Sequence, residues 1–154
     1  MNVNKAMKYI YTVIVVSTVL ISGALGILKS GVLDISLPDL RSKYQTVESK
    51  LVNLDGIEVH YYDEGEGPTV MISHASYHSL HSWDGVAELL KKSFRVVRFD
   101  YPNAGLSGLD SKNRYSVEHY QKMISQLADA LSIEQFHLVG TSSGGTVAFR
   151  YAAN

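Results

Sequence analysis

The chain of 154 residues has no cysteine, three prolines, one tryptophan and no excess of either charge. Without cysteine, disulfides, thiolate nucleophiles and cysteine-based metal sites are excluded, and the redox compartment stays open. The formal net charge is −1, from 14 basic and 15 acidic residues, and no basic stripe is present. We therefore expect no nucleic-acid partner.

One long uncharged run lies near the N-terminus, from residue 9 to residue 28. As a helix, these 20 residues span about 30 Å, the thickness of a bilayer core. Lys5 and Lys8 precede the run and Lys29 follows it, which favours a cytoplasmic N-terminus with the remaining chain outside. The run is apolar all round and lacks an amphipathic stripe, which disfavours a buried core helix. We expect residues 1–29 to form a signal anchor in the membrane.

A cleaved signal peptide is the alternative, because Ser22, Gly23 and Ala24 are small residues of the kind found at cleavage sites. The apolar run continues past them to Leu28, which favours retention. In the first case the domain is membrane-anchored on the extracytoplasmic side, and in the second it is secreted or periplasmic.

After the apolar run, the sequence divides into a polar linker, residues 30–50, and a globular part, residues 51–154. Asp55-Gly56 predicts a hairpin between the first two strands of the globular part. Buried strands alternating with helices predict an α/β domain whose mostly parallel sheet carries helices on both faces. The predicted strands are 51–54, 57–62, 69–73, 94–99 and 136–139, and the predicted helices are 82–92, 116–131 and 143–153.

The most informative segment is 140–145, Gly-Thr-Ser-Ser-Gly-Gly, between a predicted strand and a predicted helix. A nucleophilic serine must be held clear of the backbone at the carboxyl end of a strand, and a tight strand-to-helix turn does this. The residues two before and two after must be tiny, or the strand and helix collide. Gly140 and Gly144 meet that need around Ser142 and not around Ser143. We therefore predict Ser142 as the nucleophile, a glycine-rich turn with a surface serine being the alternative.

The loop after the strand 69–73 is the predicted oxyanion loop. Acyl transfer builds negative charge on a carbonyl oxygen, and two backbone N–H groups must point at that oxygen. We predict that Ser143 supplies one N–H and Ser76 the other, with Ala75 as the alternative second donor. His74 is expected to hold the loop by hydrogen bonds rather than to act as a base. A purely structural loop is the remaining interpretation.

Asp100 and the histidines of the loops need separate interpretations. We expect Asp100 to order the loop beside the active site, a catalytic Asp100 being the lesser alternative. His74, His78 and His81 are spaced loosely like metal ligands, but Asp84 is their only acidic neighbour. We therefore predict no metal site, and nothing in the sequence indicates a cofactor.

Together these segments resemble the N-terminal half of an α/β-hydrolase fold enzyme, over residues 51–153. The resemblance implies a serine hydrolase that attacks an ester-like small molecule (a carboxylic ester, lactone or amide) and forms an acyl-enzyme. A serine at position 142 disfavours the family branches that use an aspartate nucleophile, such as dehalogenases and epoxide hydrolases. The run 79–84 is similar to that of membrane-anchored bacterial hydrolases of this fold. The matching segments, in the family's order, are Asp55-Gly56, the His74 loop with 81–84, the segment 98–107, and 140–145.

The sequence departs from the family pattern at three points. Ala75 and Asn103 stand where the family usually has glycine; asparagine tolerates a positive φ. The catalytic acid and histidine of the family follow the nucleophile, and nothing in residues 1–154 matches them. We therefore expect an incomplete N-terminal fragment of such an enzyme. The alternative is a non-catalytic, membrane-tethered remnant or binding protein with the hydrolase fold.

Overall fold

A computed structural model describes residues 3–32 and 34–153, and the chain divides into two compact units, Met1–Ser36 and Leu37–Asn154. The first unit contains one helix, α1 (Val3–Lys29). Its Met7–Lys29 stretch contains an 18-residue window with a mean hydropathy of 2.2 and is long and apolar enough to cross a membrane. The predicted apolar N-terminal helix is thus present.

Two threonines show how α1 accommodates polar side chains in this apolar stretch. The hydroxyls of Thr12 and Thr18 each donate a 2.9 Å hydrogen bond to the carbonyl four residues earlier in the helix. These bonds satisfy the hydroxyls within the helix itself, as a lipid-facing helix requires.

The second unit alternates helices and strands along the chain. Its elements are α2 (Leu37–Tyr44), β1 (Lys50–Leu54), β2 (Ile57–Glu64), β3 (Thr69–Ser73), a 3-10 helix (Leu80–Trp83), α3 (Asp84–Leu90), β4 (Arg95–Phe99), α4 (Val117–Ala130), β5 (His137–Gly140) and α5 (Ser143–Ala152).

The sheet has five strands in the order β1-β2-β4-β3-β5. β1 and β2 form the predicted hairpin, and its turn residues Asp55 and Gly56 both have positive φ, 52° and 88°. β2 pairs antiparallel with β4, whereas β4, β3 and β5 are mutually parallel. The sheet is therefore mixed: the parallel arrangement predicted for most of it holds for the three strands that precede helices.

Helices cover both faces of the sheet, as predicted. Val70 and Ile72 of β3 pack with Val96 of β4 on the side of α3. The intervening residue Met71 packs on the opposite side, in the larger core that α4 and α5 close. This alternation follows from the pleat of a strand, in which successive side chains point to opposite faces.

The sequence predicted the start of α4 correctly, but it did not predict the short 3-10 turn before α3. Ser116 caps α4 as expected, its side chain accepting from the His119 N–H at 3.2 Å. The predicted helix 82–92 is instead a 3-10 turn followed by the short helix α3. Tertiary contacts fix that turn, because the N–H of Leu80 donates to Oδ1 of Asp100 at 2.8 Å.

Strand β5 corrects a second expectation. It was predicted to be buried, but it pairs only with β3 among the described residues, and its burial alternates between exposed and half-buried positions. Val139 is 37% exposed. An edge position explains this, because an edge strand has neighbours on one side only.

The register of the parallel strands positions the candidate site. Ser73 at the end of β3 pairs with Phe99 at the end of β4 and with Gly140 at the end of β5. The three loops that follow these strands therefore leave the sheet together, at the carboxyl ends of its parallel strands, where α/β proteins bind ligands.

Candidate active site

The turn between β5 and α5 holds Ser142 in a strained conformation. Its φ and ψ are 51° and −121°, a region that residues other than glycine seldom occupy. Strain of this kind, at a serine between a strand and a helix, is the geometry of a nucleophile elbow. Ser142 is exposed and its hydroxyl makes no capping bond to α5, so the hydroxyl remains available for chemistry.

The two glycines around Ser142 are required by close backbone contacts. A Cβ at Gly140 would lie 2.4 Å from the carbonyl oxygen of Gly144. A Cβ at Gly144 would lie 2.5 Å from the carbonyl oxygen of His74 and 2.6 Å from that of Ser73. These glycines let α5 approach both its own strand and the loop after β3, which brings Ser142 and the predicted oxyanion loop together.

His74 ties the loop after β3 to the loop after β4. Its Nε2 accepts a hydrogen bond from the N–H of Tyr101 at 3.1 Å, so its Nδ1 carries the proton and donates to the carbonyl of Ala75 at 2.7 Å. Burial lowers the pKa of His74. The ring is therefore neutral at pH 7, with both nitrogens engaged in holding loops.

Ser76 and Ser143, predicted to supply the two oxyanion donors, are in direct contact. The N–H of Ser76 donates a 2.7 Å hydrogen bond to Oγ of Ser143, and the Ser76 hydroxyl donates to the same oxygen at 2.9 Å. The loop after β3 and the first turn of α5 thus meet at the two residues that the sequence pattern paired. The N–H of Ala75, the alternative donor, has no such contact with Ser143.

Asp100 is the centre of a buried network rather than a free carboxylate. Its Oδ1 accepts from the N–H of Leu80 at 2.8 Å, and its Oδ2 accepts from that of Leu106 at 3.0 Å and from Nδ1 of His60 at 2.7 Å. A Cβ at Gly105 would lie 2.1 Å from Oδ2, so the loop folds tightly around the carboxylate. Both oxygens of the Asp100 carboxylate are thus engaged in ordering this loop.

His60 extends this network and was not singled out by sequence reasoning. Its Nδ1 faces Asp100, and its Nε2 lies 2.9 Å from Oγ of Ser49 in the turn before β1. The only available indication was a histidine inside a predicted buried strand, and its partners are 11 and 40 residues away in sequence.

A cavity of about 540 Å³ opens beside the contact between Ser76 and Ser143, both of which line it. Ser142 is not among its lining residues. The described residues that line it include no Asp, Glu, Lys or Arg, so the cavity favours uncharged groups. Much of its wall is aromatic: Tyr101, Tyr115 and Tyr120.

Two tyrosines of this wall, Tyr101 and Tyr120, are held by their contacts. The rings of Tyr101 and Tyr120 stack with centroids 4.4 Å apart, and the Tyr101 hydroxyl lies 2.5 Å from Oγ of Ser73. Burial raises the pKa of Tyr101 to about 12, so its hydroxyl stays protonated at neutral pH. No local sequence pattern predicts that these tyrosines come together, because Tyr101 follows β4 and Tyr120 belongs to α4.

The three histidines with loose metal-ligand spacing face different partners. Nδ1 of His74 faces the carbonyl of Ala75, Nδ1 of His78 faces that of Ser76 at 3.0 Å, and Nδ1 of His81 faces Asp84 at 3.1 Å. Within residues 3–32 and 34–153, no three His, Asp or Glu side chains are arranged to hold a metal ion.

The sheet order and the strained turn at Ser142, between a strand and a helix, define an α/β protein with the geometry of a nucleophile elbow. A family model described as the α/β-hydrolase fold matches residues 68–154. The chain belongs to the α/β-hydrolase fold family.

Individual relatives agree with this assignment. A fluoroacetate dehalogenase from a Burkholderia species is 30% identical over 113 residues, which are 71% of this chain and 37% of the relative. Haloalkane dehalogenase 2 from Mycobacterium bovis is 27% identical over 105 residues, which are 68% of this chain and 37% of the relative. The chain thus spans little more than a third of the length of these relatives.

A solved structure of a bacterial membrane phospholipase A is also similar. It superposes with a TM-score of 0.68 at 27% identity, over 90% of this chain and 47% of the other. That share exceeds the Leu37–Asn154 unit alone, so the aligned region extends into the unit that contains α1.

Proposed function

We propose that the protein is a membrane-anchored serine hydrolase in which Ser142 attacks the carbonyl carbon of an ester-like substrate. The attack gives a tetrahedral oxyanion held by the N–H groups of Ser143 and Ser76. Loss of the alcohol or amine leaves an acyl-enzyme, and water then releases the acid. The strained backbone of Ser142 is the observation that carries the proposal, since strain of this kind at a strand-to-helix turn is typical of functional sites.

The serine at position 142 supports acyl transfer rather than the dehalogenation for which the two relatives are named. A hydroxyl nucleophile forms an acyl ester with a carbonyl substrate, and in the proposed reaction the N–H groups of Ser143 and Ser76 stabilise the resulting charge. The uncharged cavity beside Ser76 and Ser143 supports a neutral acyl or aromatic group as the part of the substrate that is bound. The proposed substrate is accordingly a neutral carboxylic ester, lactone or amide.

The histidine and acid of the catalytic triad form part of the proposal for the whole protein. Asp100 is committed to its loop, and His60 and His74 are each held by contacts of their own. The proposal therefore assigns the nucleophile and the oxyanion donors to this chain and does not assign the base to any of these three residues.

Membrane anchoring through α1 is supported by two observations. The helix is long and apolar enough to span a bilayer, and the similarity to a membrane phospholipase A extends into this unit. Anchoring would place the cavity near a membrane, so esters of lipids belong in the substrate panel beside short soluble esters.

The proposal is tested by ester hydrolysis with the full-length protein in detergent. The panel contains p-nitrophenyl esters of increasing chain length, a lactone, an anilide and a phospholipid. We expect turnover of at least one ester, and Ser142→Ala should abolish it. Ser132→Ala is the matched control and should leave turnover unchanged, because Ser132 is another exposed serine with positive φ and lies outside the proposed oxyanion site. Equal activity of Ser142→Ala and the parent protein would contradict the proposal, and a folded protein with no turnover would favour the non-catalytic remnant.

A further inference from the structure

The contact between Ser76 and Ser143 has the geometry of an occupied oxyanion site. Two donors of Ser76, its N–H and its hydroxyl, converge on one oxygen, Oγ of Ser143, at 2.7 Å and 2.9 Å. A carbonyl oxygen that becomes an oxyanion requires this arrangement, with donors about 2.7–3.1 Å away. The oxygen at the centre of the donors belongs to the protein itself.

Both residues lie where a ligand would reach them. Ser76 and Ser143 are exposed, and both line the cavity of about 540 Å³. The Ser143 side chain extends from the first turn of α5, and its hydroxyl can leave by rotation about a single bond. The two Ser76 donors then become free for another oxygen without any movement of the backbone.

We propose that Ser76 offers its hydroxyl as well as its N–H to the substrate oxygen, and that the Ser143 hydroxyl occupies this position until substrate displaces it. The proposal rests on the proposed function, because it concerns the oxyanion site of the same reaction. It adds a third donor to the N–H groups of Ser76 and Ser143. It also makes Ser143 a regulator of access, whose side chain competes with the substrate.

A purely structural role of the contact predicts the opposite effect of mutation. If the bonds merely fasten the oxyanion loop to α5, Ser143→Ala loosens the loop and weakens binding of an oxygen anion. If Ser143 is a placeholder, Ser143→Ala removes a competitor and strengthens that binding. The sign of the change separates the two roles.

The experiment measures butyrate binding by NMR to the full-length protein in detergent micelles. All variants carry Ser142→Ala, so no covalent chemistry contributes and binding is measured whether or not Ser142 is a nucleophile. The amide resonances of residues 76 and 143 report occupation of the site. We expect Ser143→Ala to tighten butyrate binding by roughly three- to tenfold, the effect of removing one competing hydrogen bond. Ser143→Thr keeps a hydroxyl and should bind butyrate with the same affinity as the protein that carries only Ser142→Ala.

The Ser76 hydroxyl is tested in protein that lacks its partner, the Ser143 hydroxyl. Ser76→Ala retains the N–H and should weaken butyrate binding roughly three- to tenfold in the Ser143→Ala background. No effect in that background would show that the hydroxyl serves only Ser143 and would overturn the third-donor assignment. Weaker or unchanged binding by Ser143→Ala would overturn the placeholder role.

A ligand-free measurement covers the case in which a variant folds poorly. The Ser76 amide proton should shift upfield in Ser143→Ala and Ser143→Gly relative to the parent, because its hydrogen bond is lost. An unshifted amide proton would contradict the placeholder contact. If Ser142→Ala leaves ester turnover intact while these binding results hold, the proposed function fails and the anion site stands.

Discussion

Nδ1 of His60 lies 2.7 Å from Oδ2 of Asp100, and both side chains are buried. His60 belongs to β2 and Asp100 directly follows β4, so the pair joins two strands to the loop that forms one wall of the cavity. The two N–H groups from which Asp100 also accepts belong to Leu80, in the 3-10 helix, and to Leu106, within that loop. The network therefore ties the loop to β2 and to the 3-10 helix.

Asp100→Asn is expected to destabilise the protein by about 2–4 kcal/mol. The amide has one acceptor oxygen where the carboxylate has two, so at least one buried donor among His60, Leu80 and Leu106 loses its partner. Urea unfolding followed by tryptophan fluorescence measures the change. Asp129→Asn is the matched control, because Asp129 is exposed on α4, and its free energy of unfolding should change by less than about 0.5 kcal/mol. Equal effects of the two substitutions would show that the network contributes little.

Gly144→Ala is expected to disrupt the elbow. The new Cβ meets two backbone carbonyl oxygens at 2.5 and 2.6 Å, so the backbone of β3 or α5 must move. We expect a loss of about 2–4 kcal/mol in the free energy of unfolding. Gly85→Ala is the control, since a Cβ there meets nothing within 4 Å and alanine in α3 gains up to about 1 kcal/mol of helix propensity. A tolerated Gly144→Ala would mean that α5 does not pack against the oxyanion loop as described.

Acidification is expected to destabilise the domain through His74, which is buried, and His119, which is half-buried. Burial lowers the folded-state pKa of each below its ordinary value of about 6.5. As pH falls below about 6.5, the unfolded chain takes up protons that these residues in the folded chain do not, so stability falls. Melting temperatures at pH 7.5 and pH 5.5 measure this loss.

Histidine variants identify the source of that pH dependence. His74→Asn should reduce the difference between the two melting temperatures without removing it, because His119 remains. His78→Asn, which changes an exposed histidine, should leave the difference as it is in the parent. An unchanged difference in His74→Asn would show that His74 does not titrate as its burial implies.

The N-terminal helix is expected to be retained in the mature protein. Intact mass measured after expression in a bacterial host should include residues 1–29, and the protein should stay with membranes during alkaline extraction. An intact mass that corresponds to a chain beginning just after Ala24, together with release from membranes, would instead identify a cleaved signal peptide.

The sequence predicted those features that depend on local patterns. The hairpin at Asp55-Gly56, the cap of α4 by Ser116 and the strand-to-helix turn at Ser142 each follow from residues within a few positions of one another. The burial of β5 does not follow from its short apolar run, because burial depends on which strands become neighbours.

The contacts that shape the site were harder to foresee. The bond between Ser76 and Ser143 joins residues 67 positions apart, and that between His60 and Asp100 joins residues 40 apart. The oxyanion loop was predicted from its place after the strand 69–73 and from the needs of acyl transfer, whereas the role of the Ser143 side chain depends on a rotamer. Packing, not periodicity, determines such details.

Covalent labelling with a fluorophosphonate tests the central claim most directly, because this probe reacts with activated serines. The full-length protein is labelled, digested and mapped by mass spectrometry, with Ser142→Ala and Ser143→Ala treated in parallel. We predict a single modification on Ser142, lost in Ser142→Ala and retained in Ser143→Ala. Modification of Ser143 or of a serine outside the elbow, or none in the folded protein, would contradict the assignment of Ser142 as the nucleophile.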